Sequence, residues 1–345
     1  MIIYIRGGHT HAGKPIYKGF AAAWEHLGYE VRYYDELCRL VDKLPTEYEL
    51  MLDDTEIGGL VHGVENPVGL TQMTNPDTNC LYTVDETRKI YQTALNNTFT
   101  VIKNSSRAYC FTQPNTFPLP WGKHFNFVSL LSKHEDIRDI FNNEEHIKTW
   151  TWVDQTEVAR NEYYKGWSDV NTIPLAFDHI SYQEALGKEK APEYDLCYVG
   201  GWADNGFDEK RKIMMEHFAA LLKTKLKCGI FINKNVSFEY EAALLHNSKI
   251  ALNIHDEYQR VLGLDSNERT FKSLGLTGAL VCDNVGQISR LFPELPLYKS
   301  PEQMVEQIMN LLDDTKKLTE QKEYYRDLLL KEHTYVHRVE QMRDL

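Results

Sequence analysis

The segment Lys249–Asp283, KIALNIHDEYQRVLGLDSNERTFKSLGLTGALVCD, carries residues whose types and spacing suit the binding of an anion. Asn267, Arg269 and Lys272 fall within two turns of one predicted helix between two apolar strands. Arg269 and Lys272 are three residues apart, so their side chains share a helix face. Unpaired backbone N–H groups at a helix start and a guanidinium both attract phosphate oxygens. The segment therefore predicts a phosphate site, and a solvated basic face balanced by Glu268 is the alternative.

A pair of glycines further upstream supports such a site. Gly200 and Gly201 follow the predicted strand Asp195–Val199 and precede a helix that contains Arg211. Glycine lets a diphosphate approach the backbone closely, and Arg211 offers a bidentate contact to it. A tight turn without a ligand is the alternative. Together with Arg269, the glycine pair favours a phosphate-bearing ligand.

The loop GGHTHAGK places His9 and His11 directly after the first predicted strand. A histidine there suits a general base acting on an acceptor hydroxyl, because the ordinary pKa of an imidazole lies near neutrality. Hydrogen bonding to a substrate and a purely structural role are the alternatives. No carboxylate or cysteine cluster accompanies the H-x-H spacing in the sequence. We therefore predict His9 and His11 as candidate catalytic residues and predict no metal site.

Strand and helix patterns predict an α/β chain with Rossmann-like domains. The apolar run Ile2–Ile5 leads through a helix to a strand at Tyr29–Tyr34, and the second half alternates regularly between strands and helices. In between, Thr46–Asp85 is rich in Gly, Asn, Asp and Pro, which predicts a long irregular insertion. A strand at Phe99–Ile102 is predicted after it.

Length and composition limit the architecture and the partners. The chain of 345 residues exceeds what one core usually holds, so we expect domains at 1–180 and 181–325 and a C-terminal helix at 326–345. The net charge of −12 disfavours, without excluding, a surface built for nucleic acid. Six scattered cysteines, with no signal segment or membrane span, predict a cytoplasmic protein with reduced thiols.

In the second half of the chain, the ordered pieces YDLCYVGG, SKIALNIH, NERTFK, GALVCDN and HTYVHR resemble GT-B glycosyltransferases, in particular the spore-maturation-type and group 1 families. The resemblance implies two Rossmann-like domains that face a cleft, with the acceptor on the first domain. It implies a nucleotide-sugar, expected to be a UDP-sugar, on the second. It also implies that the C-terminal helix crosses back to the first domain and that no metal or other cofactor is required.

The same resemblance assigns donor contacts to individual residues. Val236 and Phe238 are expected to lie against the nucleobase, and the glycine pair and both arginines against the phosphates. The family usually has a Glu that binds ribose hydroxyls where this chain has Lys272, and an ammonium donates to a hydroxyl but accepts from none. The complete predicted donor-binding set is Gly200, Gly201, Arg211, Val236, Phe238, His255, Asn267, Arg269 and Lys272.

A second resemblance is to the bacteriophage β-glucosyltransferases that modify hydroxymethylated cytosine in DNA. The piece FTQP (Phe111–Pro114) resembles the loop that carries their catalytic Asp, and here that position is Gln113, which cannot act as a base. Both resemblances imply transfer of a hexosyl or pentosyl group to a hydroxyl of a glycan, a small molecule or a modified DNA base. A sugar-nucleotide epimerase and an inactive nucleotide-sugar-binding module are the alternatives.

Overall fold

The chain forms two parallel β-sheets with helices packed on them. His9, His11 and Gln113 lie outside the described residues, so their predicted roles stay predictions. The sheets and helices give the predicted α/β architecture with two Rossmann-like domains. The computed structural model describes residues 1–8, 13–67, 70–112, 134–201 and 208–345.

The first sheet consists of the parallel strands β1 (Ile2–Arg6), β2 (Glu30–Tyr34), β3 (Glu49–Asp53), β4 (Arg107–Phe111), β5 (Ile147–Thr151) and β6 (Val170–Thr172). Their order in the sheet is β2-β1-β3-β4-β5-β6. Ile3 of β1 pairs with Val31 of β2 on one side and with Glu49 of β3 on the other. Leu50 and Leu52 of β3 have no exposed surface, as expected for a parallel sheet covered on both faces.

Helices of the first half begin at local capping signals. The Asp53 carboxylate accepts a hydrogen bond from the backbone N–H of Thr55 at 3.1 Å and so caps the second helix. Thr83 and Glu86 form a capping box at the start of the third. The helices are α1 (Gly13–His26), α2 (Asp54–Glu65), α3 (Val84–Asn104), α4 (Glu135–Asn143) and α5 (His179–Ala185).

The second sheet has the order β11-β10-β9-β7-β8 and is also parallel. Its strands are β7 (Leu196–Gly200), β8 (Cys228–Ile232), β9 (Ile250–Asn253), β10 (Leu280–Asp283) and β11 (Leu297–Tyr298). The helices of this half are α6 (Asp208–Leu221), α7 (Phe238–Asn247), α8 (Glu257–Leu262), α9 (Glu268–Leu276), α10 (Gly286–Leu291), α11 (Pro301–Asp313), α12 (Thr315–Glu332) and α13 (Tyr335–Arg343).

The predicted irregular insertion at Thr46–Asp85 is wrong over its first half. Strand β3 and helix α2 lie there, and β3 is an inner strand of the first sheet. The run Leu50–Leu52 is apolar enough for a buried strand, but it is short and is followed by many Gly, Asn and Pro residues. The insertion therefore contributes a strand end to the carboxyl edge of the sheet.

The strand predicted at Phe99–Ile102 is also wrong, because these residues continue helix α3. The capping box fixes the start of the helix, and Leu95, Thr98, Val101 and Ile102 are buried at the spacing of one helix face. Four residues of β-favouring type are too weak a signal against that longer pattern.

The last helix, α13, packs on the first half of the chain, and the single helix predicted at 326–345 is divided between the end of α12 and α13. The ring of Tyr335 in α13 lies 4.7 Å from the ring of Phe20 in α1, centroid to centroid. A side chain at Gly19 would overlap the Tyr335 ring. The buried Arg338 guanidinium donates to the carbonyl of Pro174 at 2.8 Å. This helix therefore ties the two halves of the chain together.

The carboxyl ends of the two sheets border the same cleft. Lys18 of α1 places its ammonium 4.0 Å from the ring centroid of Phe238, at the start of α7. Gln287 of α10 donates to the carbonyl of Trp152, in the loop after β5, at 2.8 Å. Trp152 follows β5 directly, Phe238 and Gln287 lie at the starts of the helices that follow β8 and β10, and Lys18 lies in the second turn of the helix that follows β1. Groups at the strand ends of both domains therefore face one another.

Candidate active site

The second sheet has a point where its connections diverge. Strand β7 is bordered by β8 on one side and by β9 on the other, so the chain leaves β7 in one direction and returns to β9 in the other. The loops at the carboxyl ends of β7 and β9 separate there, and open α/β sheets bind ligands in such a crevice. Gly200 ends β7 and Asn253 ends β9. We call this place the β7/β9 crevice.

Arg269 is held rigidly over the β7/β9 crevice. Its Nε donates to the carbonyl of Val199 at 2.9 Å, and its NH1 donates to the Asn253 side-chain oxygen at 3.0 Å. The guanidinium carbon lies 4.9 Å from the ring centroid of Tyr198. Among the described residues no acceptor lies within hydrogen-bond distance of NH2. Arg269 therefore presents a fixed positive charge with donor capacity at the strand ends.

The two glycines make room for this arrangement. A side chain at Gly200 would overlap the Arg269 guanidinium, and one at Gly201 would overlap the side-chain oxygen of Asn233. Both positions are thus restricted by close approach of other groups. Neither glycine has a positive φ, so backbone conformation does not require them. Gly200 leaves room for the Arg269 guanidinium and Gly201 for the Asn233 side chain, which the sequence alone did not indicate.

Asn267 and His255 form hydrogen bonds that hold together the strands and the helix beside the crevice. The Asn267 side chain caps α9 by accepting from the Thr270 N–H at 3.3 Å, and it accepts from Asn253 Nδ2 at 2.9 Å. His255 is completely buried, with Nδ1 2.7 Å from Asp283 Oδ1. Burial alone would raise the pKa of the Asp283 carboxyl, but the bonds with His255 hold that pKa below its ordinary value. His255 therefore positions β9 and β10, because it has no exposed surface for a ligand.

Lys272 is neutralised within the protein rather than free to bind phosphate. Its ammonium lies 2.8 Å from a carboxylate oxygen of Glu241 and 3.2 Å from one of Glu268. All three side chains are nearly buried. Burial opposes the charge of Lys272, but the two carboxylates raise its pKa above the ordinary value. Arg269 and Lys272 thus share a helix yet have different partners, which the shared-face prediction did not distinguish.

Lys210 is the cation of α6 whose side chain faces the protein interior. Its neighbour Arg211 is the one predicted from the sequence as a phosphate contact. The Lys210 ammonium lies 2.6 Å from Asp256 Oδ1 and is almost completely buried. Burial and the positive charge of Arg269 lower the pKa of Lys210, against the opposite effect of Asp256. Lys210 therefore lies close to the crevice, whereas Arg211 is exposed on the helix. The sequence Lys210-Arg211-Lys212 does not indicate which of the three cations faces the interior.

Val236 and Phe238, the residues expected at a nucleobase, lie at the start of α7 and are partly buried. The ring of Phe238 is stacked on Tyr182 at 4.4 Å, and the Lys18 ammonium lies 4.0 Å from its centroid. Lys18 is an exposed side chain. A base can therefore stack on Phe238 only when Lys18 moves away.

Asp265, in the loop between α8 and α9, was not identified from the sequence. Its Oδ2 accepts from the Tyr258 hydroxyl and from Gln259 Nε2, both at 3.1 Å. Its Oδ1 is buried without a hydrogen-bond partner among the described residues. Burial raises the pKa of this carboxyl to about 7. The folded protein therefore retains a proton that the unfolded chain releases near pH 4.

Substitution Asp265→Asn is expected to stabilise the protein at pH 8 and to change stability little at pH 4. Because the folded pKa is raised, the wild type loses stability as pH rises from about 4 to about 7, by a few kcal/mol at most. The amide carries no charge at either pH. Urea denaturation at both values measures the difference, with Asp139→Asn on the exposed face of α4 as the control. An equal effect of Asp265→Asn at both pH values would contradict the expectation.

Comparison with known proteins finds a family that resembles the second half of the chain. Residues 183–344 match the family described as glycosyl transferase-like. The matched range contains β7 to β11, and thus the whole β7/β9 crevice. No curated protein sequence matches the chain.

Solved structures match along the whole chain at low sequence identity. T4 phage BGT, a β-glucosyltransferase described in complex with UDP and Mn²⁺, has a TM-score of 0.53 and 11% identity, covering 99% of this chain and 97% of that chain. An α-glucosyltransferase, in complex with UDP and a 13-mer DNA containing an HMU base, has a TM-score of 0.52 and 12% identity, covering 100% and 98%. The N-terminal domain of Candida albicans trehalose-6-phosphate phosphatase has a TM-score of 0.51 and 11% identity, covering 99% and 96%.

These matches establish the GT-B fold that the sequence predicts. The second half of the chain, residues 183–344, is in addition similar to the glycosyl transferase-like family. Among the described residues, no helix has the length and apolar character needed to cross a membrane.

Proposed function

We propose that this chain is a glycosyltransferase that takes a UDP-sugar in the β7/β9 crevice and transfers the sugar to a hydroxyl group. In this proposal residues 181–325 hold the donor, residues 1–180 hold the acceptor, and 326–345 join the two. Both glucosyltransferases described above were solved with UDP. The predicted donor-binding residues Gly200, Gly201, Asn267 and Arg269 border the crevice, which supports the same assignment.

The geometry of Arg269 carries the proposal. Two of its nitrogens are occupied by Val199 and Asn253, so the guanidinium does not need to reorganise when a ligand arrives. A fixed positive charge at the point where negative charge develops lowers the barrier more than a mobile one does. In glycosyl transfer that charge develops on the departing diphosphate. Lys210 also lies near Arg269, with its own charge paired with Asp256.

We propose that the positive side chains replace a metal ion at the leaving diphosphate. The group His255, Cys282 and Asp283 is the set of potential metal ligands found among the described residues. All three are completely buried, and His255 and Asp283 already bind each other. This group does not fit a metal that must reach a diphosphate in the crevice. Transfer is expected to persist in EDTA.

A thermal-shift screen against nucleotides and nucleotide-sugars tests the proposal. A ligand that binds only the native state raises the melting temperature by mass action. UDP and UDP-glucose are expected to raise it, and GDP, ADP and CMP at equal concentration are the matched comparisons. A preference for GDP or ADP would reassign the base, and no response to any of them would contradict a nucleotide-sugar donor.

The second candidate is transfer to a modified base in DNA. The α-glucosyltransferase bound to DNA containing an HMU base matches this chain over its full length. The sugar-phosphate phosphatase domain matches equally well, so the fold alone does not choose between acceptors. An assay with UDP-glucose and duplex DNA containing hydroxymethyluracil, beside simple glycosides, separates the two. Transfer to DNA is expected to fall with added salt if phosphate contacts hold the duplex.

The cysteines support a cytoplasmic place of action as part of the proposal. All six are free thiols, and Cys110, Cys197 and Cys282 are buried. Unpaired cysteines are typical of proteins that work in a reducing compartment.

Substitution Gly200→Ala is expected to weaken UDP binding by about 10-fold or more, because the new Cβ displaces the Arg269 guanidinium. Isothermal titration with UDP measures the change. Gly59→Ala on α2 is the matched control, since no atom lies within 4 Å of the added Cβ there. Unchanged UDP affinity in Gly200→Ala would show that the position of Arg269 does not matter for the donor.

A further inference from the structure

The first sheet has its own point of divergence, between β1 and β3. The order β2-β1-β3 means that the chain leaves β1 toward β2 and returns on the other side as β3. Arg6 ends β1 and Asp53 ends β3, so both lie where such a sheet holds a ligand. This crevice corresponds in the first domain to the β7/β9 crevice in the second. We call it the β1/β3 crevice.

Arg6 and Asp53 form an ion pair across the β1/β3 crevice. Arg6 NH1 lies 3.1 Å from Asp53 Oδ1 and 3.0 Å from Oδ2. Oδ1 also accepts from the backbone N–H and the hydroxyl of Thr55, so its acceptor capacity is filled. Oδ2 accepts from Arg6 alone among the described residues. One carboxylate oxygen at the strand end is therefore held in place and able to accept another hydrogen bond.

Two further polar groups beside this pair have unfilled hydrogen-bonding capacity. The Tyr34 side chain is 4% exposed, and its hydroxyl has no hydrogen-bond partner in the described part of the chain. Glu56 accepts from the Leu37 N–H at 2.6 Å through Oε1, whereas Oε2 is buried without a partner there. Arg6, Asp53 and Glu56 all act electrostatically on Tyr34. Buried polar groups are usually paired, so unfilled groups at a strand end indicate a place for a polar ligand.

The charge of the β1/β3 crevice selects the kind of ligand. Its one arginine is already paired with Asp53, and Glu56 and Asp35 add acidic groups nearby. A phosphate would meet repulsion there, whereas an uncharged hydroxyl both donates and accepts hydrogen bonds. The contacts of Lys18 with Phe238 and of Gln287 with Trp152 show that the strand ends of both sheets border one cleft. A hydroxyl bound at Asp53 thus lies on the side of the first domain that faces the donor domain.

We propose that the β1/β3 crevice binds the acceptor hydroxyl and that Asp53 is the catalytic base. The inference rests on the proposed function. The acceptor oxygen forms a bond to the anomeric carbon of the sugar, and the bond from that carbon to the diphosphate breaks with its electron pair leaving on UDP. The hydroxyl proton passes to Oδ2 of Asp53. Arg6 is a positioning residue, because it holds the carboxylate. Attack opposite the leaving group inverts the anomeric centre.

The test uses UDP-glucose as the donor probe and water as the acceptor, with the full chain. Removal of a general base typically lowers a rate by about 100-fold or more. Asp53→Asn is therefore expected to slow UDP release by at least about 100-fold while UDP-glucose affinity stays within about 3-fold of wild type. Asp53→Glu, which keeps a carboxylate, is expected to recover part of the rate. Asp139→Asn, on the exposed face of α4, is the control.

The stereochemistry of the released glucose gives an independent readout. UDP-glucose is α-linked, so the wild type is expected to release β-glucose, observed by NMR before mutarotation. Release of α-glucose, or Asp53→Asn within about 3-fold of the wild-type rate, would overturn the role of Asp53 and leave the donor assignment intact. Binding of UDP-glucose without any UDP release by the wild type would also count against Asp53. Failure of the wild type to bind UDP-glucose would instead overturn the proposed function.

Discussion

Arg269→Ala is expected to lower UDP affinity by about 100-fold or more and to lower glycosyl transfer at least as much. Hydrogen bonds to charged groups contribute about 1.5–3 kcal/mol each, and each 1.4 kcal/mol is a tenfold change in affinity. The guanidinium offers its NH2 to the crevice while Val199 and Asn253 hold the other nitrogens. Isothermal titration with UDP measures the loss.

Two controls separate loss of the phosphate contact from loss of the fold. Arg269→Lys keeps the charge but not the fork of donors, so it is expected to bind UDP with intermediate affinity. Arg88→Ala, an exposed arginine paired with Asp85 on α3, is expected to bind as the wild type does. If Arg269→Ala bound UDP as tightly as wild type, the diphosphate would lie elsewhere.

Lys272→Met is expected to destabilise the protein by about 3–5 kcal/mol at pH 7.5. The substitution leaves the carboxylates of Glu241 and Glu268 nearly buried and without their cation, and breaking a buried ion pair has a cost of this size. Burial already raises the pKa of Glu268 above its ordinary value despite Lys272. The deficit should therefore shrink toward pH 4.5, where the carboxyls take up protons. Urea denaturation at both pH values measures it.

A triple substitution tests whether the charge is the cause. Lys272→Met combined with Glu241→Gln and Glu268→Gln removes all three charges and is expected to regain most of the lost stability at pH 7.5. A triple variant as unstable as Lys272→Met alone would point to packing of the lysine stem instead.

The structure shows which groups surround Lys272, a position where this chain departs from the family it resembles. That resemblance places a ribose-binding Glu where Lys272 stands. The Lys272 ammonium instead pairs with Glu241 of α7 and Glu268 of α9, so this position contributes an internal ion-pair cluster.

The regular alternation of the second half allowed its strands and its helix at Phe238–Asn247 to be predicted. Strand β3, by contrast, was missed because its apolar run is short. The pairing of Lys272 with Glu241 joins residues from different helices, and no local pattern reports such a contact. The choice of Lys210 over Arg211 depends on how α6 is rotated about its axis. The β1/β3 crevice could not be predicted from the sequence, because the order of the strands in the sheet depends on tertiary pairing.

A crystal structure of the full chain with UDP would locate the donor. The diphosphate is expected in the β7/β9 crevice, with its oxygens within hydrogen-bond distance of Arg269 NH2 and next to the backbone of Gly200 and Gly201. UDP bound away from the carboxyl ends of β7 and β9, with Arg269 still bonded only to Val199 and Asn253, would contradict it.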